Sequence, residues 1–489
     1  MALILLALLA QEFRTNLPEH DVRVKVLGFE TAAVERPAGD PELVPGLLDC
    51  VVVGGGMSGL TAAFYLKDLK AVVLERDERA GGLAHRGLTD DGVAYGRGSA
   101  YYSEPPDLVM PLYLEMGLTP LEQTLIPSPI DSYWRKGSLL LDMWEKESFK
   151  ALPAEFKAFH AKLLRSDKAG EIPVQPMDRA DDRRLDRISA AEYIKDFGPE
   201  LKAYLDAYCQ SALGGFTEDI SALAFTNFYS AEVVERYAWP GGTGGASVIL
   251  AEKVKDLVRT GSAVVQVAQD ADGVDVDYVR GGKLYRIRAR QAILAVPLRV
   301  VDWIFPGLPE ERRALIRSLK YADYVVHQVF TPKDLWTKTY DTWFVDKSFT
   351  DLIAARWIET KGFQTPAAAG PGILSIYQPL APRRGLKALD ARAVNDLAIG
   401  ALRELYDVIP DLKKEKSLAM ESYRWPASIH LCPPGFFSET APKLSPPVGR
   451  VRFAGNNLGT PSFEEAIYRG HQAALHVREA LGKTLVPRK

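Results

Sequence analysis

Cysteine and histidine are both scarce in this chain of 489 residues. The three cysteines, Cys50, Cys209 and Cys432, lie far apart, and the seven histidines show no ligand spacing such as HExxH. Residues this few and this scattered exclude a disulfide framework and predict no metal site.

Excess charge and long apolar runs are missing as well. The net charge of −3 gives no broad basic face, which excludes nucleic acid as a partner. No run of about 18 apolar residues exists, so no membrane-spanning helix is predicted.

The N-terminal residues 1–46 are read as an extension of the main fold. Residues 1–10, MALILLALLA, resemble the apolar part of an export signal, but no basic residue precedes them. Residues 11–46 are polar and proline-containing, and are expected to form a linker or a wrapping arm outside the main sheet. The cytoplasm is slightly favoured as the location, while export or membrane tethering stays open.

A nucleotide-binding pattern begins at residue 50. The apolar run Cys50–Val53 predicts a buried parallel strand, GGGMSG follows at 54–59, and a helical pattern leads to a second strand that ends at Glu75. Such glycines allow a tight turn and close approach to a pyrophosphate, while the acid accepts hydrogen bonds from a ribose. The predicted cofactor contacts in this block are Gly54, Gly56, Met57, Ser58, Gly59 and Glu75.

The residues after Glu75 continue the pattern with a second pair of glycines. A Gly81-Gly82 pair follows, Arg79 lies before it, and YGRGSA occupies 95–100. This block resembles the flavin-containing amine oxidase, phytoene desaturase and protoporphyrinogen oxidase superfamily, although Leu83 stands where the family often has arginine. The resemblance implies FAD contacts from Arg76, Arg79, Gly81, Gly82, Leu83, Gly98 and Ser99.

Two later blocks carry the same resemblance. Residues 239–297 contain a P-x-G-G turn, a middle strand and the return sequence ILAVP, with a hairpin around Gly281-Gly282. Residues 449–457 resemble the strand that precedes the family's last helix, and Ser462 with Glu465 predicts a capping box that starts this helix. The implied cofactor contacts are Val265, Val267, Gly455, Asn456, Asn457, Phe463, Glu464 and Ala466.

The predicted fold is α/β, with a Rossmann-like FAD-binding domain that is discontinuous in sequence. The FAD-binding domain is assigned to residues 47–103, 236–300 and 446–485. Residues 104–235 and 301–445 are assigned to an inserted α+β substrate-binding domain of the amine oxidase type.

The catalytic candidates are His327 and Trp425. Amine oxidases of this family carry a lysine on the strand that matches residues 324–330, and none occurs here; His327 is the nearest polar choice. Two tyrosines form an amine cage in those enzymes, whereas Ser462 or Phe463 occupies one such position. Cys432 lies near where some relatives attach FAD covalently, but non-covalent FAD is expected.

The second inserted stretch is rich in aromatic residues, which predict either an apolar tunnel or core packing: Trp336, Tyr340, Trp343, Phe344, Phe349 and Trp357.

The resemblance implies an FAD-dependent oxidoreductase of the amine oxidase, amino-acid oxidase or desaturase type, which takes hydride from a C–N or C–C bond onto flavin N5. The substrate would be a small amine or an apolar molecule, and the electron acceptor oxygen or another compound. A flavin-dependent isomerase of an unsaturated lipid stays open as an alternative, as does a non-catalytic carrier like the Rab GDP dissociation inhibitors. A homodimer and peripheral membrane association are also left open.

Overall fold

The computed structural model describes residues 10–28, 34–118, 124–175, 177, 179–232, 235–361, 371–382 and 390–484. The strands are β1 Gln11–Asn16, β2 Asp21–Gly28, β3 Glu42–Val53, β4 Ala71–Leu74, β5 Arg86–Leu88, β6 Ala94–Gly96, β7 Tyr102–Ser103, β8 Asp131–Arg135, β9 Ser138–Leu140, β10 Arg236–Tyr237, β11 Val258–Arg259, β12 Ala263–Gln269, β13 Val274–Arg280, β14 Lys283–Leu294, β15 Tyr321–Thr331, β16 Asp341–Phe344, β17 Asp351–Ala354, β18 Gly372–Leu380, β19 Ser417–His430 and β20 Val451–Phe453.

The helices are α1 Met57–Tyr65, α2 Met110–Met116, α3 Lys146–Ala151, α4 Ala154–Lys168, α5 Ala180–Asp186, α6 Ala190–Tyr193, α7 Pro199–Leu213, α8 Ala222–Glu232, α9 Gly244–Lys253, α10 Leu298–Ile304, α11 Glu310–Ser318, α12 Trp357–Lys361, α13 Ala391–Leu405, α14 Ala441–Leu444 and α15 Phe463–Ala480. None of the helices among the described residues is long and apolar enough to cross a bilayer.

The smaller of the two main sheets carries the nucleotide-binding pattern. Its strand order is β11-β4-β3-β14-β13-β12, and β20 pairs with β14. The end of β3 lies parallel to both β4 and β14, and residues 50–53 are buried because neighbouring elements cover both faces. The predicted Rossmann-like arrangement is confirmed, as is the hairpin between β13 and β14.

The larger sheet has the order β1-β2-β19-β15-β18-β17-β16-β8-β9. Most of its strands come from the two inserted stretches. The helices α4, α7 and α8 pack beside it around a second apolar core that includes Phe159, Tyr208 and Phe225. Helix and sheet therefore combine in this part of the chain, as an α+β substrate-binding domain requires.

The N-terminal segment corrects one expectation. Strands β1 and β2 belong to the larger sheet, where β2 runs parallel to β19, and β3 begins at Glu42 inside the smaller sheet. The expectation that residues 11–46 form only a linker is wrong because Val22, Val24 and Val26 alternate with exposed residues and bury one face of β2. The signal-like residues 1–9 lie outside the described residues.

Candidate active site

The larger cavity lies at the carboxyl ends of the parallel strands of the smaller sheet. It has a volume of about 530 Å³, and three remote segments of the chain meet around it. Its walls include the glycine loop after β3, the end of β4, the start of β12, the end of β14 and the start of α15. The sequence-predicted residues that line it are Gly54, Gly56, Met57, Ser58, Glu75, Arg76, Gly81, Gly82, Leu83, Ser99, Val265, Gly455, Asn456, Asn457, Phe463 and Ala466.

Glycine is required at several points of this wall. Gly54 has φ +98°, which only glycine adopts without strain. A Cβ on Gly59 would lie 1.9 Å from the carbonyl oxygen of Gly54, so any side chain there would push α1 away from the strand. Gly56 and Gly81 form a bridge between the two glycine loops, which leaves flat backbone facing the cavity.

Glu75 lies at the end of β4 and connects these loops. Its carboxylate accepts hydrogen bonds from the backbone N–H groups of Gly55, at 2.6 Å, and Asp77, at 2.8 Å. Burial raises the pKa of Glu75 to about 7, and the neighbouring Asp77 charge acts in the same direction. The acid is held in place for a hydroxyl-rich ligand at the strand end.

The last helix closes the opposite wall. Ser462 caps α15 and accepts the N–H of Glu465 at 3.0 Å, while the Glu465 carboxylate pairs with Arg469 rather than completing a capping box. The capped helix start faces the cavity, where its free N–H groups favour negative charge. The Oδ1 of Asn457 is buried and has no partner among the described residues, which leaves it for a ligand.

Five predicted cofactor residues do not line this cavity. Gly59 lies beneath the glycine loop, Arg79 is exposed, and Val267 is fully buried in the core of the smaller sheet. Gly98 and Glu464 line a second, adjoining cavity instead. Sequence spacing alone could not distinguish these positions, because side-chain direction at a strand end depends on local bulges such as the one between Val264 and Gln266.

The smaller cavity has a volume of about 250 Å³ and lies against the larger sheet. The residues that line both cavities mark their junction: Leu83, Ser99, Trp425, Ser428, Pro461, Ser462 and Phe463. Tyr101, Tyr377 and Trp343 add aromatic surface beyond the junction. A small molecule in this cavity would therefore have one end beside the larger cavity.

The charged residues that line the smaller cavity are all acidic. Among the described residues they are Glu104, Asp351 and Glu464, with no lysine, arginine or histidine. Burial raises the pKa values of Asp351 and Glu464 to about 7, whereas Glu104 is exposed. Such a lining favours a cation over a carboxylate.

The segment between the two cavities is fixed to the larger sheet. Arg97 forms a two-pronged ion pair with Glu421 at 2.6 and 2.7 Å. The Trp425 indole N–H donates to the carbonyl of Arg97 at 2.6 Å, and the Tyr377 hydroxyl donates to the carbonyl of Gly98 at 2.9 Å. The cofactor-side backbone and the substrate-side walls therefore share one rigid support.

His327 is placed away from both cavities, so its predicted catalytic role is wrong. Its ring nitrogens bond to Ser422 Oγ at 2.8 Å and to Gln378 Oε1 at 3.0 Å, and the side chain is fully buried. Burial lowers the pKa of His327 to about 4. Because strand side chains alternate, the neighbouring Tyr324 and Val326 face the smaller cavity instead.

The other catalytic candidate, Trp425, lies at the junction. Cys432 is buried, its thiol donates a hydrogen bond to the carbonyl oxygen of Gly459 at 3.5 Å, and it lines neither cavity. Of the predicted aromatic tunnel only Trp343 lines a cavity, and the remaining residues pack in the apolar core: Trp336, Tyr340, Phe344, Phe349 and Trp357.

Sequence reasoning missed most of the smaller cavity. Its polar residues Ser211, Tyr324, Asp351 and Tyr377 come from four different elements, α7, β15, β17 and β18. No short motif joins such positions. The one usable signal was Asp351, the aspartate that begins the otherwise apolar strand β17, since buried carboxylates are rare without a function or a partner.

The fold and the paired cavities define a dinucleotide-dependent enzyme with a smaller cavity beside the cofactor cavity. Residues 57–478 match the family described as flavin containing amine oxidoreductase, and the chain belongs to this family. The protein is an FAD-dependent amine oxidoreductase.

Two curated relatives match almost the whole chain. A flavin-containing amine oxidase A of Bos taurus is 24% identical over 468 residues, covering 89% of this chain and 86% of the relative. An L-amino acid dehydrogenase of Synechocystis sp. is 23% identical over 475 residues, covering 87% of this chain and 94% of the relative.

Solved structures show the same fold. Putrescine oxidase bound to putrescine has a TM-score of 0.68 at 18% identity, covering 89% of this chain and 100% of that structure. Cyclohexylamine oxidase from Brevibacterium oxydans also has a TM-score of 0.68, at 19% identity with 90% and 100% covered.

Proposed function

We propose that this protein oxidises a small amine that carries no carboxylate beside the reacting nitrogen. The observation that supports this choice is the smaller cavity, whose described lining has three acidic side chains and no basic one. An α-amino acid would bring a carboxylate that this lining repels and leaves without a partner. A lipid isomerase or desaturase would have no use for buried acids in its substrate cavity.

The proposed place of FAD is the larger cavity. Glu75 would hold the adenosine ribose, the glycine loops would lie against the pyrophosphate, and the start of α15 would face the flavin ring. When bound, FAD supplies a two-electron oxidation, accepting hydride from the carbon next to nitrogen and leaving a C=N bond that water then hydrolyses.

The residues at the junction would orient the amine. Trp425 and Phe463 would provide flat apolar surface, and Ser428 and Ser462 would add two small hydroxyl side chains. Buried walls around the junction would exclude water from the reacting carbon. The substrate would therefore be an amine whose body fits aromatic walls.

Anaerobic flavin bleaching with matched substrate pairs tests the proposal. Each pair consists of an L-amino acid and the amine that remains after its carboxylate is removed, such as L-lysine with 1,5-diaminopentane and L-phenylalanine with phenethylamine. The amines should reduce the flavin absorbance near 450 nm faster than their amino acids. Faster bleaching by the amino acids would refute the proposal.

A further inference from the structure

Asp351 is a buried carboxylate in the lining of the smaller cavity, at the start of β17. Only about 3% of this residue is exposed. Its Oδ1 accepts hydrogen bonds from the hydroxyls of Ser211, at 2.8 Å, and Thr350, at 2.5 Å. Its Oδ2 has no hydrogen-bond partner among the described residues, although the residue lines the cavity.

The hydroxyl groups next to Asp351 form a chain in which each one donates its hydrogen bond toward the carboxylate. The Ser211 hydroxyl donates to Asp351, so the Tyr324 hydroxyl, 2.9 Å away, donates to Ser211 in turn. The Ser211 and Thr350 hydroxyls, which donate to Asp351, stabilise negative charge on its carboxylate. Neither hydroxyl carries the positive charge that a buried anion requires.

Arg236 is the positively charged side chain that acts on Asp351, and it already forms ion pairs with other carboxylates. Arg236 is buried and pairs with Asp131 at 2.6 Å, while Asp341 lies 3.7 Å from the same guanidinium. One arginine therefore faces three buried carboxylates, counting Asp351. This excess of negative charge favours an additional cation from outside the protein.

The position of Asp351 is remote from the junction with the cofactor cavity. One row of paired residues crosses the larger sheet from Tyr423 on β19 through Val326 and Tyr377 to Asp351 on β17. Three strand spacings of about 4.8 Å place β17 roughly 14 Å from β19, the strand that carries Trp425. A cation at Asp351 and a reacting amine at the junction would therefore belong to two ends of one molecule.

We propose that Asp351 binds a second, non-reacting ammonium group, so that the preferred substrate is an α,ω-diamine or another amine with a distal positive charge. The inference rests on the proposed amine oxidation and adds a specificity-determining residue to it. The aliphatic body of the substrate would lie along Val326 and Tyr377, between the two charged ends.

The test compares 1,5-diaminopentane with pentylamine, which has the same length but one ammonium group. The wild-type protein should show a higher kcat/KM for the diamine. In Asp351→Asn the ratio of the two kcat/KM values should fall by about 10-fold or more, because a hydrogen bond to a charged group is lost. The pentylamine value itself should change little.

Asp346→Asn is the matched control, since it makes the same substitution at an exposed aspartate between β16 and β17 that lines neither cavity. It should keep the wild-type ratio. Flavin absorbance and near-ultraviolet circular dichroism establish that each variant is folded and loaded with FAD.

Three results would overturn the proposal: a wild-type preference for pentylamine, an unchanged ratio in Asp351→Asn, or an equal loss in Asp346→Asn. If Asp351→Asn does not fold, the proposal is tested by the wild-type protein's ratio of kcat/KM for 1,5-diaminopentane to kcat/KM for pentylamine. Failure of every amine to bleach the flavin would instead refute the amine oxidation on which the inference rests.

Discussion

At the scale of single residues, two acids distinguish the adjoining cavities of this protein. Glu75 and Asp351 lie in adjoining cavities, and burial raises both pKa values to about 7. Their hydrogen-bond partners differ, because Glu75 accepts from backbone N–H groups and Asp351 from hydroxyls. The first arrangement suits a ribose and the second a cation.

Replacing Glu75 with alanine should weaken FAD binding by about 10-fold to 100-fold, since hydrogen bonds to a charged acceptor contribute about 1.5–3 kcal/mol. The ratio of flavin to protein absorbance after dialysis, and titration with FAD, measure the change. Glu78→Ala removes an exposed acid three residues away and should bind FAD like the wild type. Equal affinity in the two variants would contradict the assignment of Glu75.

Diamine selectivity should depend on pH through Asp351. Because its pKa is raised to about 7, the side chain is neutral below this pH and anionic above it. The kcat/KM ratio of 1,5-diaminopentane to pentylamine should therefore rise between pH 6 and pH 8. Arg236 favours the anion, whereas Asp131 opposes it, and Tyr324 and Tyr377 stay neutral in this range because burial raises their pKa values. A flat ratio would argue against a role for Asp351.

At the scale of elements, the strands and turns next to the cofactor could be predicted from sequence. The β3–α1 turn, the β13–β14 hairpin and the Ser462 cap each depend on a few neighbouring residues, so local chemistry specifies them. The smaller cavity could not be predicted, because Ser211 and Asp351 meet only after α7 packs on the larger sheet. The polar residues of 11–46 led to the wrong expectation of a segment outside the sheet, because a strand with one exposed face buries only every second residue.

Strand alternation also explains why His327 fails as a catalytic candidate. In His327→Ala the rate of flavin reduction should stay within about twofold of wild type, since the side chain touches neither cavity. The free energy of unfolding should fall by about 1–3 kcal/mol, because Ser422 and Gln378 lose their buried partner. Stopped-flow reduction and urea denaturation measure the two effects separately. A large loss of reduction rate with FAD still bound would restore the catalytic role.

At the scale of the whole molecule, the cofactor cavity joins segments that are more than 400 residues apart in sequence. Direct contacts already link them, for example the Ser58 hydroxyl, which donates to the carbonyl of Ala466 at 2.8 Å. A ligand in the cavity adds further contacts that only the folded chain can make. FAD should therefore contribute substantially to global stability.

Removing FAD should lower the Tm, and adding it back should restore the Tm in a concentration-dependent way. A free concentration about 1,000 times Kd would stabilise the folded state by about 4 kcal/mol. Differential scanning calorimetry of the holoprotein, the apoprotein and the reconstituted protein measures this change. Identical transitions in all three would mean that the cavity walls keep their arrangement without help from the cofactor.

The pairing of β2 with β19 has a practical consequence for anyone who trims this protein. The family match begins at residue 57, which invites removal of the residues before the glycine loop. An expression product shortened in this way would lose the whole of β3 from the smaller sheet and would leave residues 417–424 as an exposed sheet edge with unpaired backbone donors and acceptors. Low yield or aggregation of the shortened protein would reflect the exposed sheet edge and the lost strand. It would give no information about the activity of the full chain.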